Sequence, residues 1–206
     1  MVAVADAVDV SAVMASARFR KRMTACVLTP CAVASFAPQV AAGCRVLILG
    51  TVPSLRSLEM RQSYAHSHNL FWPFMEILFG VPAQASYAER MTRLHDVGIG
   101  LWDVLQECER RGSLDSSIRV CSEVPNDIPA LLRAYPEIHA IALNGSKALQ
   151  VFERRIAPRI PSACCQPPAI IALPSTSPAN ASIPRATKLR RWRALLRWSR
   201  EPATDA

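Results

Sequence analysis

The sequence contains no apolar run near the ~20 residues that a membrane-crossing helix needs, so a soluble chain without a membrane partner is expected. It has no C-x-x-C pair, which removes the usual scaffold of a zinc ribbon or an iron–sulfur site. Neither G-x-x-x-x-G-K-[ST] nor G-x-G-x-x-G occurs, which disfavours a phosphate-cradling nucleotide loop. Ser54 does not sit in a G-x-S-x-G elbow, and no acid–histidine order supports a hydrolase triad. The histidines lack the H-E-x-x-H spacing of a zinc protease. No internal repeat and no low-complexity linker divides the chain, so a single domain is expected.

What is present bounds the answer from the other side. With 206 residues, half of them apolar, the chain can bury one sizeable core. A net charge of +8 points to an anionic partner. Seven cysteines, an odd number without regular spacing, read as reduced and mostly buried thiols of a cytoplasmic protein. Residues 1–32 are rich in Ala and Val, with a basic knot at Arg18-Phe19-Arg20-Lys21-Arg22. Asp6 and Asp9 near the start spoil the charge order of a signal peptide. This stretch reads as an extension outside the fold, residues 33–200 as the domain and 201–206 as a tail.

The patterning alternates strands with helices. Arg45–Leu49 (RVLIL), His139–Leu143 (HAIAL) and Ala169–Leu173 (AIIAL) read as buried parallel strands, with Gly98–Trp102 as a further short apolar run. Asp103 is expected to cap a helix after that run. Helices are expected from Phe71, over Tyr87–Val97, over Pro125–Tyr135, over Lys147–Ile156 and over Arg185–Ser199, with one or two turns between Ser54 and Ser63. The last of these carries Arg185, Lys188, Arg190, Arg191, Arg193 and Arg197 with no acid among them. Such alternation predicts an α/β fold with helices on both faces of a mostly parallel sheet. Loops 50–54, 144–146 and 174–180 would then meet at the carboxyl edge, where ligands bind in such sheets.

Those loops offer amides and hydroxyls: Asn69, Asn144, Asn180, Ser175, Thr176 and Ser177. Small hydroxyls and backbone N–H groups at strand-to-helix loops suit phosphate oxygens. An amide suits the polar edge of a nucleobase and an aromatic ring its face. Asn144 and Phe71 could grip one base between them, although Asn144-Gly145 also fits a plain turn and Phe71 a core position. The arginines of the last helix fit equally well a DNA contact or a solvated face.

The order G-T-V-P-S (50–54), Y-A-H-S-H-N-L-F-W (64–72), L-W-D (101–103), L-N-G (143–145) and L-P-S-T-S-P-A-N-A (173–181) resembles the uracil-DNA glycosylase superfamily. Its hypoxanthine-DNA (deoxyinosine) glycosylase branch is the nearest match, and Gly112-Ser113-Leu114-Asp115 also resembles that branch. The resemblance implies a three-layer α/β/α sandwich around a four-stranded, mostly parallel sheet. It implies monofunctional hydrolysis of the N-glycosidic bond of a deaminated base in DNA, by a monomer needing neither metal nor other cofactor. It further implies that Asn69 is the catalytic amide. Gly50, Thr51, Phe71, Asn144 and His66 would hold the base, with Phe71 stacked on it. Ser54, Ser175, Thr176, Ser177 and Asn180 would hold the DNA backbone. Val52 stands where many superfamily members carry a catalytic Asn or Asp, and Leu173 where uracil-specific enzymes place a histidine. The chain also has His66-Ser67-His68-Asn69 where the branch more often has H-P-R-N. A uracil or thymine mismatch glycosylase, or a non-catalytic DNA-binding relative, are the alternatives.

Overall fold

A computed structural model describes residues 29–161 and 167–199. The basic knot at 18–22, the cysteines at 26, 164 and 165, and the 201–206 tail lie outside the described residues.

The centre of the molecule is a four-stranded parallel sheet in the order β3-β2-β6-β7, built from β2 (Val46–Gly50), β3 (Ile99–Asp103), β6 (Ala140–Asn144) and β7 (Ala169–Leu173). Every residue of β2 and β6 is buried, because both faces of these strands are covered. That double burial is why they read as continuous apolar runs instead of alternating ones. On one face Val46, Ile48, Ile99, Leu101, Ala140 and Ala142 pack against α2 (Phe71–Phe79), α3 (Tyr87–Asp96) and α6 (Arg185–Trp192). On the other, Leu47, Leu49, Ile141 and Leu143 pack against α4 (Ile128–Ala134) and α5 (Ser146–Val151). The architecture is the three-layer α/β/α sandwich expected.

The second face also carries a three-stranded antiparallel sheet that the sequence pattern does not announce. It joins β1 (Cys31–Ala34), β4 (Leu105–Arg110) and β5 (Val124–Pro125) in the order β1-β4-β5. Here two expectations are corrected. Asp103 caps no helix: it ends β3, and the chain passes through Val104 straight into β4, with Val104 N–H donating to Gly50 O and Leu105 N–H to Thr51 O. Pro125 starts no helix either, since it pairs with Leu105 in β5, and α4 begins at Ile128 with Pro129 in its first turn. β1 begins at Cys31, inside the stretch assigned to the extension.

One short helix falls where it is expected, and two others differ in detail. α1 (Leu55–Met60) fills the region between Ser54 and Ser63 and is capped by the Ser54 hydroxyl, which accepts from Ser57 N–H. The expected helix 147–156 is α-helical only to Val151 and continues as a wider π turn over Phe152–Ile156. The expected helix 185–199 tightens to a 3-10 turn over Arg193–Arg197.

Candidate functional site

Strand register decides where the site lies. Gly50 pairs with Asp103, and the β2–β6 register of Leu49 with Leu143 puts Asn144 level with Gly50 on its other side. In a parallel sheet, side chains at one level project to the same face. Asp103, Gly50 and Asn144 therefore form one row at the carboxyl edge, on the face shared by Ile48, Leu101 and Ala142. The middle member has no side chain, and the Asp103 carboxyl leans into the notch this leaves beside the Asn144 strand. A Cβ on Gly50 would lie 2.5 Å from Asp103 Oδ1 and 3.1 Å from the Tyr64 hydroxyl, so any larger residue would have to displace the Asp103 carboxyl. Over this row opens a cavity of about 470 Å³, bordered by loops 50–54, 113–116, 144–147 and 175–180 together with Tyr64 and Asn69. The three loops expected to converge do so.

Asn69, Gly50, Thr51, Asn144, Ser54, Ser175, Thr176, Ser177 and Asn180 all line the cavity. Asn69 precedes α2, and its Oδ1 accepts from Phe71 N–H at 2.9 Å, which fixes the amide at the helix entrance. A carbonyl oxygen has two lone pairs, so one remains for a water. Asn144 is held at both ends of its amide by Thr176: Oδ1 accepts from Thr176 N–H and Nδ2 donates to Thr176 Oγ1, each at 3.0 Å. One lone pair of Asn144 remains for a ligand, and its second N–H lies toward the Tyr64 hydroxyl. Val52, 8% exposed, contributes only an apolar wall. Gly145, at φ 107°, turns the chain out of β6, and a Cβ there would lie 2.9 Å from that of Ser175.

Three of the expected residues are placed differently. Phe71 is fully buried and does not face the cavity. Tyr64 lies over it, ring centroids 4.0 Å apart and nearly parallel, so Tyr64 is the aromatic face the cavity presents. His66 is exposed and outside the cavity lining, and its Nδ1 accepts from His68 N–H. Thr176 has no exposed surface for a DNA phosphate. Its hydroxyl and N–H serve Asn144 while its carbonyl accepts from Leu70 N–H at 3.0 Å, so it ties the Asn69 loop to the Asn144 loop.

Several contributors have no role assigned to them from the sequence. Asp115 accepts from Thr51 Oγ1 at 2.8 Å, and the Ser113 hydroxyl accepts from Leu55 N–H, so segment 113–116 closes the first loop from outside. Arg110, 1% exposed, donates to Pro53 O at 2.6 Å and stands 4.0 Å from Asp115. Burial, followed by the nearby Asp115 charge, pushes the Asp103 carboxyl up to about 7, against a smaller downward pull from Arg110. Desolvation raises the Asp115 carboxyl too, opposed by the Thr51 hydrogen bond and by Arg110; its side chain keeps 44% of its surface in water, which screens much of this. The Tyr64 hydroxyl is buried without a hydrogen-bond partner in good geometry, and burial raises its pKa strongly. Lys188 sits 2% exposed under the 174–180 loop and donates to Ser175 O at 2.8 Å and Asn180 O at 2.5 Å. The other basic residues of α6 and its 3-10 extension, Arg185, Arg190, Arg191, Arg193 and Arg197, are exposed. None of the five forms an ion pair among the described residues. No helix among the described residues is long and apolar enough to cross a membrane.

Comparison with known proteins bears on the family and the fold. A hypoxanthine DNA glycosylase of Methanosarcina acetivorans is 36% identical over 104 residues, covering 50% of this chain and 65% of that protein. This chain thus matches somewhat under two thirds of that relative's length. A hypoxanthine DNA glycosylase of Methanosarcina barkeri is 32% identical over 114 residues, covering 55% of this chain and 71% of the relative. A solution structure from Methanosarcina acetivorans, described as a candidate uracil DNA glycosylase, superposes with a TM-score of 0.68 at 28% identity, over 81% of this chain and 98% of the other. The family model of the uracil DNA glycosylase superfamily matches residues 37–196, from just before the first parallel strand to the end of the basic C-terminal turn. With both amide-bearing loops, the Gly50 notch and the 173–181 loop inside that match, the chain belongs to the uracil DNA glycosylase superfamily.

Proposed function

We propose that this protein is a monofunctional DNA glycosylase that hydrolyses the N-glycosidic bond of deaminated bases, chiefly hypoxanthine, and so opens base excision repair. The observation that carries the reading is the pairing of Asn69 and Asn144 in one cavity whose first loop carries the apolar Val52 and no amide or carboxylate. The two relatives named as hypoxanthine DNA glycosylases support the choice of base. Leu173, 4% exposed at the end of β7, supplies no polar group to a uracil-type leaving anion.

The chemistry follows from the parts. A base inside a duplex is out of reach, so its nucleotide must be rotated out, at roughly a few kcal/mol, less for a mispaired base. The extruded base enters the cavity above Gly50 and Asp103 with its face against Tyr64, while Asn144 turns its amide to the base edge. Asn69 is neutral and too weak to be a strong base; its carbonyl orients the attacking water toward C1′ as the sugar becomes oxocarbenium-like. The hydroxyls of Ser54, Ser175 and Ser177 and the Asn180 amide hold the flanking phosphates, and the net charge of +8 draws the DNA in. The protein acts as a monomer in the compartment that holds the DNA.

The test is release of free hypoxanthine from an inosine-containing duplex, measured beside uracil and xanthine duplexes. Wild-type release from inosine should exceed that from uracil and should collapse in Asn69→Ala. A wild-type rate no higher than that of Asn69→Ala sinks the reading.

A further inference from the structure

One acidic group in the cavity has no part in the steps above. Asp103 ends β3 level with Gly50, and its carboxyl reaches over the Gly50 Cα because glycine leaves that space open. It projects to the same face as Asn144, two strands and therefore about 10 Å of backbone away, with the notch between them. Among the described residues none donates a hydrogen bond to this carboxyl; the Asn126 amide that approaches takes the Asp103 backbone carbonyl instead. A carboxylate left in a pocket wall without donors costs far more than a neutral carboxyl in the same place. The buried Tyr64 hydroxyl converges on the same spot over Gly50.

We propose that Asp103, as a neutral carboxylic acid at the cavity floor, is the catalytic proton donor to the departing purine. This rests on the glycosylase reading above. As the C1′–N9 bond breaks, its electron pair passes to the purine. The Asp103 proton moves to a ring nitrogen of that purine, which leaves as neutral base. The resulting carboxylate faces the positive sugar. Water held by Asn69 then bonds to C1′ and releases a proton, which returns through solvent to Asp103. The sum is one water consumed, with base and abasic sugar formed.

The groups that face Asp103 favour the acid form. Asp115, from the turn after β4, adds negative charge, and Arg110 of β4 offsets it in part. Tyr64 is neutral, and Lys147, which also borders the cavity, is committed to Glu123 at 2.5 Å. A carboxyl whose pKa is held near 7 is matched to acid catalysis at neutral pH.

The experiment is a single-turnover pH profile, from pH 5.5 to 9, on an inosine duplex with enzyme in saturating excess. It is run for wild type and for Asp103→Asn, which keeps size and hydrogen bonding but has no acidic proton. The wild-type rate should be level below about pH 7 and fall about tenfold per unit above it. Asp103→Asn should be roughly 10²- to 10⁴-fold slower at pH 6 and should lose the alkaline fall. A wild-type rate that is flat or rises across the range overturns the proposal, and so does an Asp103→Asn profile with the wild-type slope. The wild-type arm needs no variant to fold. If wild type releases no hypoxanthine at any pH, the glycosylase reading itself fails and takes this inference with it.

Discussion

Asn69 and Asn144 are the same side chain in the same cavity, yet their surroundings are opposites. Asn144 comes off one of the two fully buried strands of the sheet, is 7% exposed, and has both ends of its amide fastened to Thr176. Asn69 comes from the loop before α2, is only partly buried, and holds one backbone N–H through its oxygen. A rigid amide suits recognition, because a planar base must meet donors and acceptors already in place. A less constrained amide suits a water that has to be accepted, oriented and consumed. Their difference teaches that stability and turnover should respond to these two residues in opposite proportion.

The largest effect on rate is expected from Asn69→Ala. Losing a positioned polar group at the reacting centre costs about 10²- to 10³-fold in turnover. The same change leaves only Phe71 N–H without its acceptor, about 1 kcal/mol of stability. Asn144→Ala should reverse the balance. Thr176 N–H is buried and would lose its acceptor, about 1–3 kcal/mol, which at this size lowers Tm by about 2–4 °C per kcal/mol. Its rate loss should be about 10- to 100-fold, as for one lost base contact of 1–3 kcal/mol. Thermal melts and single-turnover rates on the two variants decide the matter; an Asn69→Ala protein that is the less stable and the more active of the pair would break the comparison.

How far the sequence foretold this site can be judged residue by residue. β2 and β6 were readable because burial on both faces makes unbroken apolar runs, and the convergence of their loops follows from parallel topology alone. Asn69, Asn144 and the 173–181 loop were readable because they lie at those strand ends or in a recognisable motif. β4 was not: Glu107 and Glu109 break its apolar pattern, and the register shifts between Leu105 and Glu107. Asp103 resembles a helix cap because an aspartate after an apolar run has the statistics of one; only the direct continuation through Val104 into β4 shows otherwise. Phe71 and Tyr64 are both aromatic neighbours of the loop, and which ring covers the other is settled by tertiary packing. Thr176 and Lys188 look like surface groups in a polar loop and a basic helix, and each is turned inward by a contact distant in sequence.

Thr176→Val sharpens the comparison at smaller amplitude. Valine keeps the shape and the backbone N–H that Asn144 Oδ1 accepts, as well as the carbonyl that accepts from Leu70, and removes only the Oγ1 acceptor of Asn144 Nδ2. The expected cost is about 0.5–1.5 kcal/mol in stability and less than about tenfold in rate. The loss should appear for every base that Asn144 reads. A rate loss as large as that of Asn69→Ala would mean that Asn144 depends on the hydroxyl far more than on the backbone bond.

Lys188→Met tests the rim of the cavity and should affect turnover least. The ammonium is the shared donor to Ser175 O and Asn180 O, the two ends of the loop assigned to the DNA backbone. Methionine can occupy the channel of the lysine stem but donates nothing, so both carbonyls turn to water and the loop loosens. Burial lowers the Lys188 pKa, and folding therefore loses some of its support as the lysine is forced to carry its charge at lower pH. Below the lysine's lowered pKa the charge is nevertheless present, held by the two carbonyls. Neither Asn69 nor Asn144 bonds to Lys188, so the single-turnover rate at saturation should stay within about threefold, a shift under 1 kcal/mol. The affinity for duplex DNA should weaken by several-fold instead, read as a higher half-saturating enzyme concentration. A fall in the saturated rate with unchanged affinity would place the 174–180 loop among the groups that position the reacting sugar, not among those that hold the backbone.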